Sequence, residues 1–574
     1  MLASIIIAVA VLAARHSSLP VRAYAQIPEP RAITVQVADS VAMLRAVRGA
    51  QGKFERVRFN NLPWSRGVSG GNCNEIIGRY CITHGDADDK WTPPAEPRRV
   101  ANERDALIAT LDSVALRLPG DHWVAGQRIR YLLEAERHAD AFAASQACRS
   151  EKWWCTSLHA LVEHKRERFY EADSLFQAAL AEMPAKERSR WRDLKILLTG
   201  ENLRVFRQST PERQELLASW LWWLADPLWM RAGNDRRTEH YARYVIDLIY
   251  RDSRTPEGAF WASDLAEILI RYGPMAGWER VRPNGSDVGW PAVVGHFLPN
   301  GREFLPDLRW FDDSIGIPDE WTLGADGTKT EYIPSYARSF HRLEHQLAVF
   351  RRGDSAVVVA AYQLPADSTP ISAAVESGLV LASDEGTTLA AKRESSLGGR
   401  GVLSAIVAAT PAVVSIEALA DSGRQAYRAR FGLPIAHARA STLALSHVLL
   451  LETAGINPRT LEDAVPRARG TTSVKSGERV SMYWEVYGLR VREESLQVEL
   501  ALEPLDQKWL RRTAERLRIR TAVPTVRLRW RDQLNGQAVM PRALDLELPR
   551  LPRGRYVLRI KVSRGGSRRY PSAG

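Results

Sequence analysis

The stretch of sequence best suited to chemistry is HRLEH, which occupies residues 341–345. Its two histidines, four residues apart, and the glutamate between them match H-x-x-E-H, a pattern that can hold a catalytic zinc ion. Such a site requires a helix, because only there do side chains at i and i+4 project together, with the glutamate beside the metal-bound water. On a strand, Glu344 would point away from both His341 and His345.

The surrounding sequence favours the strand. LAVFRRGDSAVVVAAY follows directly, and Gly353-Asp354 is typical of a hairpin turn. A helix would instead turn both histidines away from the apolar stripe that includes Phe340 and Leu347. The remaining candidate ligand, Glu417, lies in VVSIEALA, which alternates in the manner of a strand. We therefore predict no metal ion at this motif.

Other catalytic signatures are scarce. The sequence contains no phosphate-binding P-loop and no G-x-G-x-x-G that opens a helix. We name no catalytic residue and expect no cofactor, although catalytic residues scattered along the chain would leave no such motif.

The elements that would position a site form an α+β multidomain pattern, with N-terminal α-helical hairpins followed by C-terminal antiparallel β-sandwich domains. The 574 residues, 45% of them hydrophobic and 25% charged, predict about three or four globular domains. Helical periodicity gives way to alternating runs such as SLQVELALEPL. The predicted divisions are a signal peptide at 1–25, an irregular cysteine-bridged segment at 26–98, helices at 99–275, an irregular connection at 276–340, a β-sandwich at 341–455 and a basic immunoglobulin-like β-sandwich at 456–574.

The N-terminus predicts export. The apolar run from Leu2 to Ala14 is too short to span a bilayer as a helix. It suits the hydrophobic region of a signal peptide, and Ala23-Tyr24-Ala25 offers a small-x-small cleavage pattern. We expect a periplasmic or secreted protein.

The four cysteines form two local pairs, Cys73 with Cys81 and Cys148 with Cys155. Oxidising compartments favour disulfides, and short loops close at modest entropic cost. Two alternatives remain: free buried thiols, or a zinc site that adds His84, although C-x7-C-x2-H fits no usual ligand spacing.

One helical stretch, WWCTSLHALVEHKRERFYEADSLFQAALAEMP, resembles a tetratricopeptide repeat. Ala160 is the small residue that the first helix of such a repeat requires. The residues that match the second helix and its end are Phe169, Ala172, Phe176, Ala179 and Pro184. The preceding stretch, DHWVAGQRIRYLLEAERHADAFAASQAC, matches more loosely. The resemblance implies a pair of helical hairpins.

A second resemblance is to the GWxTD domain, which is found in exported bacterial proteins of unassigned function. The matching residues are Asp226, Pro227, Asn234, Trp261, Asp264, Arg271, Tyr272, Gly273 and Pro274. Phe260 stands where the family has glycine before the tryptophan. We expect these motif residues to be structural, with the Trp261 ring buried and the Asp264 carboxylate capping or pairing locally.

The net charge of +12 is concentrated at the C-terminal end: from Lys508 onward there are 18 basic and 4 acidic residues. Period-2 geometry places the basic residues of TVRLRWRD and RYVLRIKV opposite their apolar neighbours. These basic residues are Arg527, Arg529, Arg531, Arg559 and Lys561. Two interpretations stay open, a solvated face or a docking surface for anionic lipid or an acidic polymer. Nucleic acid does not suit an exported chain.

The sequence therefore predicts an exported, non-catalytic protein for protein interaction or cell-envelope assembly, with an envelope protein of unknown identity as partner. Helical repeats and sandwich edges are both common binding surfaces. The alternative function is a secreted hydrolase that acts on peptides or glycans.

Overall fold

The computed structural model describes most of the chain. The described ranges are 30–65, 73–82, 91–281, 293–306, 329–366, 373–420, 424–435, 442–453, 455–489, 495–505, 526–533 and 538–564. The predicted signal peptide and His84 lie outside these ranges. The predicted class is confirmed, since helices occupy the N-terminal half and mostly antiparallel sheets the C-terminal half, with β5 and β12 of the first sandwich as a parallel pair.

A long first helix, α1 (Pro30–Asn61), replaces the irregular structure that we predicted for this part of 26–98. Its buried face includes Val47, Gln51, Phe54 and Glu55, whose spacing of three and four residues is that of one helix face. Half of these side chains are polar, so the helical period is weak in the hydrophobicity pattern.

A small antiparallel hairpin follows, formed by β1 (Glu75–Ile77) and β2 (Tyr80–Ile82). Gly78 turns the chain with a φ of +54°, a conformation that suits glycine. A disulfide joins Cys73 to Cys81, with Cα atoms 5.5 Å apart. We call residues 73–82 the cysteine hairpin.

The helical half packs as successive antiparallel helices around one apolar core. Its helices are α2 (Arg98–Arg117), α3 (His122–Glu134), α4 (His138–Gln146), α5 (Lys152–Lys165), α6 (Phe169–Glu182), α7 (Ala185–Arg192), α8 (Gly200–Gln208), α9 (Pro211–Ala225), α10 (Asp235–Arg251) and α11 (Ser263–Tyr272). The second disulfide, Cys148–Cys155, joins the end of α4 to α5. No described helix is long and apolar enough to cross a membrane.

The first β-sandwich packs one three-stranded sheet on one five-stranded sheet. A short pair, β3 (Gly277–Arg280) and β4 (Val293–His296), precedes it. The sandwich strands are β5 (Ser339–Arg342), β6 (Glu344–Arg352), β7 (Ser355–Gln363), β8 (Ala374–Asp384), β9 (Thr387–Leu397), β10 (Arg400–Ala408), β11 (Ala412–Ala420) and β12 (Gln425–Leu433). The sheet orders are β10-β7-β6 and β5-β12-β11-β8-β9, with residues such as Val358, Leu381 and Ile416 between them.

The second β-sandwich begins earlier than the predicted boundary at 455/456. Its strands are β13 (Ala444–Leu445), β14 (Leu449–Leu451), β15 (Arg479–Tyr487), β16 (Ser495–Pro504), β17 (Val526–Gln533), β18 (Val539–Glu547) and β19 (Tyr556–Arg564). A short helix, α12 (Leu461–Ala464), lies between β14 and β15. Both β13 and β14 pair with β15, so this sandwich already includes Ala444. The pairing is long-range and left no local sequence signal.

Candidate functional site

The structure brings the two halves together where the loop between α9 and α10 docks on strands β11 and β12. Arg430 Nη1 donates to the carbonyl oxygens of Leu224 at 2.7 Å and Asp226 at 2.8 Å. Arg428 Nη1 donates to the carbonyls of Asp226 and Pro227, each at 3.1 Å. Two buried guanidinium groups thus bind main-chain carbonyls at the end of α9 and in the loop that follows it, where buried carbonyls need partners.

A fully buried carboxylate completes this contact. Glu417 accepts hydrogen bonds from the backbone N–H groups of Trp229 at 3.0 Å and Met230 at 2.8 Å. It also accepts from the Ser415 hydroxyl at 2.5 Å and pairs with Arg430 at 3.0 Å. We call Glu417, Arg428 and Arg430 the junction clamp. Glu417 and Arg430 compensate each other's charge, and Arg428 is held by main-chain carbonyls.

Electrostatics at the clamp reflect its burial. Loss of solvent, reinforced by the neighbouring Arg430, lowers the pKa of Arg428 to about 9. Burial also raises the pKa of the Asp226 carboxyl well above its usual range, and the nearby Asp235 adds to this effect. Both shifts arise because burial disfavours the charged form of each side chain.

The motif residue Asn234 is a helix cap. Its side-chain oxygen accepts from the Arg237 N–H at 2.9 Å, and its side-chain nitrogen donates to the Trp222 carbonyl at 2.6 Å. The next residue, Asp235, accepts a hydrogen bond from the Tyr332 hydroxyl at 3.2 Å. Burial raises the pKa of Asp235 to about 7. The start of α10 is thereby fixed both to α9 and to the segment that follows the helical half.

Trp261 and Asp264 make separate contacts. The buried Trp261 indole donates to Asp247 at 2.9 Å and packs edge-on against Tyr250, with ring centroids 4.8 Å apart. Asp264 accepts from Arg79 Nε at 2.6 Å and Nη2 at 2.9 Å. The carboxylate therefore ties the cysteine hairpin to the start of α11.

The end of the motif holds the other side of the same hairpin. Arg271 and the Tyr272 hydroxyl both donate to the Glu75 carboxylate, the latter at 2.8 Å. Gly273 ends α11 with a φ of +89°, a backbone conformation that favours glycine. Pro274 follows directly, where a helix cannot continue. The motif residues thus brace elements of the chain against one another.

The HRLEH residues lie on strands, as the strand interpretation predicts. His341 is on β5, whereas Glu344 and His345 are on β6. Glu344 accepts hydrogen bonds from the hydroxyls of Thr471 and Ser473. Within the described ranges, no group of three or more His, Cys, Asp or Glu side chains is placed to hold a metal ion.

A groove opens between helices α2, α3, α4 and α5, with a volume of about 380 Å³. Asp112 and Arg128 on its wall form an ion pair at 2.6 Å. Its apolar lining includes Leu116, Leu118, Pro119, Val124, Ile129 and Leu158. Leu116 is 86% exposed at the rim. We call this opening the hairpin groove; the Cys148–Cys155 disulfide borders it.

The basic residues predicted at the C-terminal end lie on the two outer strands of one sheet, whose order is β17-β16-β19. They are Arg527, Arg529 and Arg531 on β17 with Arg559 and Lys561 on β19, and all are exposed. They are distant in sequence from the motif residues and take no part in the junction clamp.

Comparison with known proteins assigns no family. No protein-family model matches the chain, and no curated protein matches it. One matching solved structure is a crystal structure of red sea bream transglutaminase. The match has 12% sequence identity and a TM-score of 0.12, and it covers 40% of this chain and 29% of the transglutaminase. The match thus spans less than a third of that protein, and the likeness carries no argument about this chain.

Sequence reasoning did not identify the junction clamp. The sequence pattern offers Glu417 only as a possible metal ligand and predicts no role for Arg428 and Arg430. A signal was available: VVSIEALA and AYRARFGL are apolar strands interrupted by charges. A charge within such a strand must find a partner on folding, but the sequence does not reveal that the partner is a loop about 200 residues earlier.

Proposed function

We propose that this chain is an exported, non-catalytic protein that binds another protein of the cell envelope through its helical half. The hairpin groove is the observation that carries the proposal. It combines a mostly apolar lining with a few polar side chains, and Leu116 is exposed at its rim; a concave site of this composition is the usual form of a binding site.

The two disulfides support the location. Each closes a short local loop, and disulfides persist in oxidising compartments such as the periplasm and the extracellular space. The proposal includes a signal peptide at residues 1–25 and a place for the chain in the GWxTD family, with tetratricopeptide-like hairpins that form the groove.

The motif contacts support a bracing role. Trp261, Asp264 and Arg271 bind groups within the chain. Fixing the helices in this way lowers the cost of ordering a binding surface when a partner arrives. The partner-binding residues are then those of the groove, while the motif residues hold α10, α11 and the cysteine hairpin together.

A photo-crosslinking residue at Leu116 tests the proposal, with Leu216 on α9 as the matched control because it too is an exposed leucine. In native envelopes we expect position 116 to capture one defined protein and position 216 to capture none. Leu116→Asp should abolish co-purification of that protein, whereas Leu216→Asp should not. Equal capture from both positions, or no change in Leu116→Asp, would contradict the groove as the binding site.

A further inference from the structure

The strand register places the basic residues of two separate strands on one surface. In antiparallel pairing, residues directly opposite one another lie on the same face of the sheet. Glu499 of β16 is opposite Arg529 on one side and Lys561 on the other. Ala501 is likewise opposite Arg527 and Arg559. The sequence could place each row on one face of its own strand, but only the register shows that both rows share a face.

The reverse face of this sheet is occupied by the core. Leu500 is opposite Leu528 and Ile560, and it packs with residues of the facing sheet such as Met482 and Trp484. Since side chains alternate along a strand, the basic rows must point away from this core. The Arg527 and Arg529 side chains are 58% and 70% exposed. The surface formed by the five basic residues is called the basic face.

The basic face is a two-dimensional array. Successive basic residues on one strand are about 7 Å apart, and the two rows are separated by about 10 Å, twice the strand spacing. Among the described residues, two carboxylates share the face: Glu499 contacts Arg529 and Glu503 contacts Arg527, each at 3.2 Å. The face therefore keeps an excess of three positive charges. A linear polymer that lies along one strand would contact one row of basic residues, whereas the phosphates of a flat bilayer surface can contact both rows at once.

We propose that the basic face binds the surface of an anionic phospholipid bilayer, with its arginines and lysine against the lipid phosphates. This site is separate from the hairpin groove and does not depend on the proposed protein partner. Attraction of this kind is electrostatic, contributes roughly a five-fold gain in partitioning per basic residue, and weakens as salt screens the surface.

Vesicle co-sedimentation of the full chain tests the proposal, with phosphatidylglycerol vesicles as the anionic probe and phosphatidylcholine vesicles as the neutral one. We expect binding to the anionic vesicles alone, and we expect it to fall steeply with added salt. Replacement of Arg527, Arg529 and Arg531 by serine should weaken partitioning on the order of 100-fold. The matched control replaces Arg98, Arg99 and Arg207, which are exposed on α2 and α8, and should retain most of the binding.

A second variant changes the charge in the opposite direction. Glu499→Gln with Glu503→Gln leaves every basic residue in place and removes both carboxylates, so vesicle binding should increase while the far-UV circular dichroism spectrum stays that of the native chain. The proposal is overturned if neutral vesicles bind equally, or if the control variant loses as much binding as the β17 variant. It is also overturned if the chain binds soluble polyphosphate but not anionic vesicles, which would assign the face to an acidic polymer.

Discussion

The junction clamp and the basic face use the same side chain in opposite surroundings. Arg430 is completely buried and each of its hydrogen bonds goes to a group of the chain. Arg529 is 70% exposed, and its ion pair with the Glu499 carboxylate lies at the surface of the molecule. Buried guanidinium groups are effective clamps because their planar fork can bind several acceptors at once. Exposed guanidinium groups remain free to bind anions from outside.

The comparison shows that arginine content alone says little about function in this chain. Both regions lie in strands, and both place an arginine at every second position, as in RAR at 428–430 and RLRWR at 527–531. What separates them is whether the sheet face that carries the arginines is itself covered by another part of the chain. Tertiary packing decides this, and local sequence does not.

The largest expected effect is the loss of a buried arginine. Arg430→Met leaves Glu417 without its charged partner, and removing one partner of a buried pair costs roughly 3–5 kcal/mol. Arg529→Met removes an exposed pair, which contributes about 0–1 kcal/mol. Urea unfolding, monitored by tryptophan fluorescence, measures the change in unfolding free energy for both substitutions. Similar destabilisation by the two substitutions would remove the distinction between the regions.

An intermediate effect is expected where an arginine is half-buried. Arg79 is 49% exposed and Asp264 only 9%, so Asp264→Ala should cost about 1–2 kcal/mol through lost charge-assisted hydrogen bonds. The loss should be local, because the contact ties the cysteine hairpin to α11. Hydrogen exchange of the β1–β2 amides should accelerate, while Glu201→Ala, which removes a fully exposed pair with Arg204, should leave exchange there unchanged. Unaltered exchange in Asp264→Ala would contradict the bracing role.

The last expected effect concerns pH. Burial raises the pKa of Asp235 to about 7, against the pull of Tyr336, Tyr332 and Arg231, which lower it. The folded state therefore holds this proton more tightly than the unfolded chain, whose aspartates titrate at about 4. The resulting stability is present below pH about 4 and is lost as the pH rises to about 7. The neighbouring Asp226 also has a raised pKa and adds to the slope.

The measurement is the difference between the unfolding free energies of the native chain and Asp235→Asn across this range. We expect the native chain to lose stability relative to the variant, by at most about 1.4 kcal/mol per pH unit. The difference is needed because burial lowers the pKa values of His164 and His240, which removes stability as the pH falls. A difference that rises with pH would contradict the assignment.

Local pattern was sufficient for much of the fold. Apolar spacing predicted the helical half, and alternation predicted the strands, including β6, where it argued against a helical zinc motif. It failed for α1, whose buried face carries Glu55. That carboxylate is bound by Arg130 at 2.8 Å and by the Tyr131 hydroxyl at 2.6 Å, partners about 75 residues later that no local window contains.

The same limit applies to the candidate site. The motif residues could be named from a resemblance, but their partners could not, because the cysteine hairpin reaches Asp264 and Arg271 across more than 180 residues. The basic rows were each visible in sequence, since alternation is local. Their common face depends on β16 lying between β17 and β19, and strand order is a property of the whole sheet.

The junction clamp also has an evolutionary consequence. Its arginines bind main-chain carbonyls, and every amino acid supplies one, so a residue such as Leu224 can be exchanged during divergence while its acceptor remains. A change at Glu417 or Arg430 has no such freedom and would have to be accompanied by a change in its partner. In remote homologues, the lasting trace of this architecture should therefore be one acid and two spaced arginines inside apolar strands, while a residue such as Leu224, which supplies only its carbonyl to the clamp, is free to vary.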